Sequence, residues 1–257
     1  MARVKLDTEL LRRNIISELV EAIPLINSKR VKVNGSFALK SSQLVLQSDS
    51  IEIEREPKKY VSRGGDKLEY ALNAFNLSPQ DKSCIDVGSS TGGFSDCLLQ
   101  HGARNLTCVD VGYGLLHEKI KADKRVTNFE RTNIRNGRTE IGRTDFTFLT
   151  ADLSFISLTT VMSELINLCK TKSPIILLVK PQFEATKNEA SKTNGVISDP
   201  NIWLRTLQEV TKSAKEAGAN LQDATTSPIL GRSGNKEFFL FFATETPENE
   251  VDFSTLF

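Results

Sequence analysis

Two charged residues of this chain directly follow apolar segments, where a side chain could do proton-transfer chemistry. Lys180 follows Ile175–Val179, and Asp152 follows another predicted strand, residues 146–151. A lysine at the edge of a hydrophobic core loses water, and desolvation favours the neutral amine that can act as a base. Asp152 is the expected carboxylate partner of Lys180. A purely structural Lys–Asp pair is the alternative.

Two further charged residues are expected at the same edge of the sheet. An antiparallel strand inserted beside the strand ending at Lys180 would begin where the parallel strands end. Glu237 precedes such a strand, residues 238–242, and Lys67 lies on a predicted helix, residues 66–75, before the first strand. Two lysines and two carboxylates can activate a hydroxyl nucleophile, because its proton must be removed or oriented before it attacks.

A glycine-rich turn follows the apolar segment 84–87 and leads into a predicted helix, residues 95–100. Its sequence is Gly88-Ser-Ser-Thr-Gly92-Gly93, with Asp86 two residues before Gly88. Such a turn can present backbone N–H groups to a nucleotide-like ligand. The spacing differs from the dinucleotide-binding pattern G-x-G-x-x-G and resembles that of S-adenosylmethionine (SAM) methyltransferases. An ordinary tight turn between strand and helix is the alternative.

Polar residues also end the next two predicted strands. Asp110 ends the second strand and can bind both ribose hydroxyls of an adenosine, although a helix cap is the other interpretation. Asn133 follows the third strand. Continuous apolar strands alternating with helices predict an α/β fold, a doubly wound Rossmann-like sheet with one antiparallel strand near the C-terminus. We predict three regions: residues 1–59, residues 60–243 and an acidic, disordered tail, residues 244–257.

The first region reads as a small α+β module. Helices are predicted at residues 4–11 and 15–26, and a hairpin turn at Asn34-Gly35. The region resembles the S-four-type RNA-binding module, except that Ser17-Glu18-Leu19 lacks the arginine usual there. Residues 1–59 contain 11 Lys and Arg against 8 Asp and Glu. The predicted RNA contacts are Arg12, Arg13, Lys29, Arg30, Lys32 and, beyond the module, Arg63. A packing appendage without RNA is the alternative.

Composition excludes several classes of protein. The chain has 257 residues, of which 39% are hydrophobic and 25% charged, and its net charge is +1. Its longest apolar runs are too short to cross a bilayer, and no signal peptide is recognisable. The four cysteines have no metal-type spacing, and the two histidines are isolated. We therefore expect a cytoplasmic protein with reduced thiols, no metal and no membrane association.

Several blocks, in order along the chain, resemble the TlyA family. They are residues 60–69, 86–94, 110–114, 130–133, 152–158, 179–184 and 234–238. Members are ribosomal RNA cytidine 2′-O-methyltransferases with an FtsJ-like fold. The resemblance implies that Lys67, Asp152, Lys180 and Glu237 are catalytic. It also implies that SAM is bound by Gly88, Gly92, Phe94, Asp110, Asn133 and Asp152, and that ribosomal RNA or ribosomal subunits are the partners.

Three other functions fit the sequence less well. A haemolysin would need a membrane-active segment, which the sequence does not contain. An RNA-binding protein without catalysis would not need Lys180 and Glu237 together. A nicotinamide-dependent dehydrogenase conflicts with the glycine spacing.

Overall fold

The computed structural model describes residues 3–54 and 59–257. The chain divides into two compact units, Met1–Lys58 and Lys59–Phe257. No helix in the described ranges has the length and apolar character needed to span a membrane.

The first unit is built from short elements. Its helices are α1 (Leu6–Arg12) and α2 (Ala22–Asn27), and its strands are β1 (Val4–Lys5), β2 (Val31–Val33), β3 (Ser36–Phe37), β4 (Leu44–Val45) and β5 (Ile51–Ile53). β2 pairs with β3 and β5, and β1 pairs with β4. Asn34 and Gly35 both have positive φ, as the predicted hairpin turn requires. The predicted helix 15–26 is shorter in the structure, because Asn14 has a φ of 54° and a 3₁₀ turn precedes Ala22.

The second unit contains one seven-stranded sheet. Its strands lie in the order β11-β12-β10-β9-β6-β7-β8. Their ranges are β6 (Ser83–Val87), β7 (Asn105–Val109), β8 (Val126–Phe129), β9 (Phe148–Ala151), β10 (Ile175–Val179), β11 (Ala219–Thr226) and β12 (Phe238–Thr244). β12 is antiparallel to both β10 and β11, whereas β6 to β10 pair in parallel. The predicted doubly wound sheet with one antiparallel strand is therefore confirmed.

Both faces of this sheet are covered. In β10, Ile175, Leu177 and Val179 belong to one apolar cluster, and Ile176 and Leu178 belong to another. Side chains alternate across a strand, so a fully apolar strand supplies both faces with core residues. The helices are α3 (Arg63–Ala74), α4 (Gly93–Gln100), α5 (Glu118–Lys121), α6 (Gly137–Ile141), α7 (Met162–Asn167), α8 (Pro181–Glu184), α9 (Lys187–Lys192) and α10 (Pro200–Glu216).

The C-terminal tail was predicted to be disordered, and that prediction is wrong. Residues Phe253–Leu256 form a 3₁₀ helix capped by Asp252, and Phe253 is buried. The ring centroid of Phe257 lies 5.6 Å from that of Trp203. Phe253 and Phe257 supply apolar surface that orders this segment, although its average charge predicts disorder.

Candidate active site

The carboxyl ends of the central strands place Lys180 beside Asp152. β9 and β10 are neighbours in the sheet, so the residues that follow them lie at one edge. Lys180 Nζ lies 2.6 Å from Asp152 Oδ1 and donates a hydrogen bond to Ser154 Oγ at 2.9 Å. The Lys180 side chain is only 12% exposed. The Lys180 nitrogen is thus held at the end of β10 by a carboxylate and a hydroxyl.

The second lysine forms its own ion pair nearby. Lys67, on α3, donates from Nζ to Glu237 Oε2 at 2.6 Å, and both side chains are buried. Glu237 directly precedes β12, and an antiparallel strand begins at the edge where its parallel neighbour ends. The insertion of β12 beside β10 therefore brings Glu237 to the edge occupied by Lys180.

Two adjoining cavities open at this edge. The larger has a volume of about 1010 Å³ and the smaller about 420 Å³. Residues that line both are Gly88, Ser90, Asp152, Lys180, Arg232 and Glu237, while Lys67 and Phe94 line the smaller one. The four residues predicted to be catalytic are thus gathered around connected space that a ligand and a substrate could occupy.

The two predicted cofactor glycines have different surroundings. Gly88 lines both cavities with a φ of 80°, but a Cβ there would lie 2.5 Å from the Asp152 carbonyl oxygen. Gly92 precedes α4 with a φ of 90° and lines neither cavity, and its Cβ position is 2.8 Å from Leu116 Cδ1. Both positions thus require glycine because of the chain itself. Phe94 is 3% exposed and packs against Phe239, and it also lines the smaller cavity.

Asp110 and Asn133 line the larger cavity, at the ends of neighbouring strands. Asp110 accepts a backbone hydrogen bond on each carboxylate oxygen, from Ser90 at 2.8 Å and from Gly112 at 2.7 Å. Each oxygen retains a lone pair, so two neighbouring ribose hydroxyls could still donate to it. Asn133 accepts the Arg135 N–H on Oδ1, which caps a 3₁₀ turn, and its amide NH₂ donates to no group in the described part of the chain. These donors and acceptors fit the adenosine part of SAM.

Asp86 is a buried carboxylate for which the sequence analysis proposed no role. It is fully buried and accepts hydrogen bonds from Ser95 at 2.6 Å and Thr150 at 3.0 Å. Burial raises the pKa of Asp86 to about 7, with the nearby Asp152 acting in the same direction and the two hydroxyls opposing it. Its position at the end of β6 could be read from the sequence, but its burial could not.

The segment after Asp152 forms part of the wall of the larger cavity. Phe155 is 91% exposed, has a φ of 65° and lies with its ring centroid 5.1 Å from that of Phe183. A bulky residue in that backbone conformation is unusual and needs support from its surroundings. Glu184 gives support nearby, because it accepts hydrogen bonds from Ser157 at 2.5 Å and from the Leu158 N–H at 2.9 Å. No motif in the sequence marks Phe155 as a site residue.

Asn235 connects two loops that line the larger cavity. It is 2% exposed, donates from Nδ2 to the Gly195 carbonyl at 2.8 Å and accepts from the Ile197 N–H at 2.8 Å. Its own carbonyl accepts from the Gly231 N–H at 2.8 Å. These three hydrogen bonds fix the loop that ends at Glu237 to the loop after α9.

The predicted RNA contacts of the first unit are mostly engaged with other groups. Arg12 and Arg13 pair with the buried carboxylate of Glu9, which they hold at a pKa of about 2. Lys32 pairs with Glu54 at 2.5 Å, and Arg30 donates to the Glu54 carbonyl. Lys29 is exposed, as is Arg63 at the start of α3, and Arg63 lines the smaller cavity of the second unit.

No group of three or more His, Cys, Asp or Glu within the described residues could hold a metal ion. All four cysteines are free thiols, and burial raises the pKa of Cys84, Cys97, Cys108 and Cys169 to about 12. They are therefore unreactive core residues near neutral pH.

The chain is similar to known methyltransferases over most of its length. The family model described as FtsJ-like methyltransferase matches residues 60–244. The 16S/23S rRNA (cytidine-2′-O)-methyltransferase TlyA of Mycobacterium tuberculosis is 38% identical over 95% of this chain and 91% of its own length.

Solved structures agree with this assignment. A hemolysin-named protein from Streptococcus thermophilus is 33% identical, with a TM-score of 0.72 over 99% of this chain and 93% of that one. Fibrillarin from Aeropyrum pernix, solved with bound S-adenosylmethionine, shares the fold with 11% identity and a TM-score of 0.51, over 70% of this chain and 76% of that one. Together with the strand order and the two lysine–carboxylate pairs, these similarities show that the chain belongs to the TlyA family of FtsJ-like methyltransferases.

Proposed function

We propose that this protein transfers a methyl group from SAM to a ribose 2′-hydroxyl of ribosomal RNA. The observation that carries the proposal is the pair of lysine–carboxylate contacts, Lys180–Asp152 and Lys67–Glu237, at the cavity edge of a methyltransferase sheet. The names of the relatives favour a cytidine as the target. The protein would act in the cytoplasm, where ribosomal RNA and ribosomal subunits are its partners.

SAM would occupy the strand ends on the Asp110 side of the site. Asp110 would bind the ribose hydroxyls, Asn133 would contact the adenine, and Asp152 would lie near the reacting end. Gly88, Gly92 and Phe94 shape the turn beneath the ligand, although Gly92 acts through the start of α4. SAM supplies a methyl group on a positively charged sulfur, which a ribose oxygen can attack directly.

The chain itself would prepare the ribose hydroxyl for attack. Lys180, as the neutral amine, would receive the 2′-hydroxyl proton and become an ammonium, and Asp152 and Ser154 keep its Nζ at the end of β10. Glu237 would accept a hydrogen bond from the substrate or orient Lys67, whose ammonium it already contacts at 2.6 Å. These groups are positioned before substrate binds, so little reorganisation is needed at the moment of reaction.

Exposed groups around the larger cavity suit a nucleotide substrate. Phe155 presents a nearly fully exposed side chain, and aromatic rings stack on unpaired bases in RNA recognition.

We propose that residues 1–59 dock ribosomal RNA and that residues 60–243 carry out the reaction. The docking contacts would be Arg12, Arg13, Lys29, Arg30 and Lys32, and Arg63 would contact the RNA beside the catalytic site. Of the proposed contacts in the first unit, Lys29 is an exposed lysine, whereas Arg12 and Arg13 also neutralise Glu9.

The experiment is methyl transfer by the purified protein to 16S and 23S ribosomal RNA that lacks 2′-O-methyl groups, both as free RNA and in ribosomal subunits. Radiolabelled SAM reports transfer, and mapping of 2′-O-methyl groups locates the product. Label on a base, or no label on either RNA or on either ribosomal subunit, would contradict the proposal. A chain beginning at Lys59 tests the docking role separately, because we expect it to bind SAM normally and methylate RNA poorly.

A further inference from the structure

We infer that Arg232 binds a phosphate of the RNA beside the ribose to be methylated, which rests on the function proposed above. Arg232 is exposed and lines both cavities together with Lys180 and Glu237. No sequence motif had marked it. Its place at the boundary between the two cavities makes it a candidate for contact with the substrate.

The charges around the smaller cavity leave Arg232 available to an anion. The lining includes four basic side chains and two carboxylates, and the carboxylates of Glu237 and Asp152 are already in contact with Lys67 and Lys180. Across the described residues, neither Arg232 nor Arg63 makes an ion pair. The rim of the cavity therefore carries positive charge without a protein counterion, which is the charge that a phosphodiester requires.

The backbone of Arg232 is also fixed relative to the catalytic carboxylate. Gly231 donates to the Asn235 carbonyl at 2.8 Å and accepts from the Gly234 N–H at 2.9 Å, closing a tight turn. A Cβ on Gly231 would lie 2.4 Å from Glu237 Oε1, so this turn packs directly against Glu237. Only the side chain of Arg232 needs to be ordered when an anion binds.

The geometry of a ribonucleotide explains why a phosphate would reach this place. The 2′-hydroxyl and the 3′-phosphate are attached to adjacent ribose carbons, so a hydroxyl at Lys180 brings its phosphate to the rim of the same cavity. The planar guanidinium can bind two phosphate oxygens at once. The SAM carboxylate is the other anionic group that could reach Arg232, and the experiment separates the two.

Arg232→Gln and Arg232→Lys are compared with Arg104→Gln as the matched control. Arg104 is also an exposed arginine without an ion pair in the described part of the chain, but it precedes β7 at the opposite end of the parallel strands. SAM affinity is measured by calorimetry. Affinity for unmethylated 16S and 23S RNA is measured from about 50 to about 300 mM salt, because phosphate contacts weaken over this range.

We expect Arg232→Gln to flatten the slope of log K against log salt by about 0.7–0.9, as for the loss of one phosphate contact. Methyl transfer at low RNA concentration should fall about tenfold, with less than about a twofold change at saturating RNA, because the lost contact is uniform binding. Arg232→Lys should keep the salt slope, and Arg104→Gln should behave as wild type.

Two results would overturn the inference. A large loss of SAM affinity in Arg232→Gln with an unchanged salt slope would assign Arg232 to the cofactor carboxylate. No change in either affinity would leave Arg232 without a ligand. In both cases an active wild-type protein leaves the proposed function intact, whereas a wild type that transfers no methyl group to RNA would overturn both.

Discussion

Lys67 and Glu237 are 170 residues apart in the sequence, yet Lys67 Nζ lies 2.6 Å from Glu237 Oε2 and both side chains are buried. We expect Lys67→Met and Glu237→Gln each to lower the free energy of unfolding by about 3–5 kcal/mol. The first variant leaves the buried Glu237 carboxylate without its lysine, and the second leaves the buried Lys67 ammonium without its carboxylate. The double variant should lose much less than the sum. Urea unfolding of the four proteins measures this coupling, and additive losses would show that the ion pair does not exist as described.

Lys180 decides whether the site performs proton transfer. Lys180→Ala should keep the fold and the SAM affinity while single-turnover methyl transfer falls by roughly 10²–10⁴-fold. Lys180→Arg should be equally slow, because a guanidinium cannot release its proton near neutral pH. Near-normal transfer by the arginine variant would mean that Lys180 acts only as a fixed positive charge, and the role as base would be withdrawn.

Gly92 should be needed for folding and not for direct contact with SAM. A valine there would meet Leu116 and Ile120, whereas Gly114 also has positive φ but has no atom within 4 Å of its Cβ position. Both valine variants carry the backbone strain, so Gly92→Val should lose about 1–3 kcal/mol more than Gly114→Val from the overpacking. Urea unfolding without SAM compares the two variants, and equal losses would disprove this packing argument.

Asp86 should make stability fall with rising pH. Burial raises its pKa from 3.8 to about 7 in the folded protein. Between these values the unfolded chain has released the proton and the folded chain has kept it, so the folded state binds more protons. Stability relative to Asp86→Asn should therefore decrease from pH 4 to pH 7, by at most about 1.4 kcal/mol per pH unit. Denaturant unfolding at several pH values measures the difference, and a difference independent of pH would show that Asp86 is ionised throughout.

Much of the second unit could be predicted from local pattern. The apolar run Ile175–Val179 predicts a buried strand, because it has only five residues and three of them are β-branched. A residue that directly follows such a strand lies at its end, whichever strands are its neighbours. For that reason the sequence predicts that Asp110, Asp152 and Lys180 lie at one edge of the sheet. The tail around Phe253 is ordered, whereas its acidic composition predicts disorder, because two aromatic side chains pack against the rest of the unit.

Other features depended on distant parts of the chain meeting. The Lys67–Glu237 contact requires β12 to insert beside β10, and the burial of Asp86 depends on Ser95 and Thr150 closing over it. Gly88 and Gly92 could be recognised as glycines of a turn, but only packing showed that the chain itself occupies the space beside them. The exposure of Phe155 and the place of Arg232 at two cavities likewise follow from loop conformation. The periodicity of a sequence indicates which face of a helix or strand is apolar. Contacts between loops that are distant in the sequence produce no periodic pattern, so only the tertiary structure determines them.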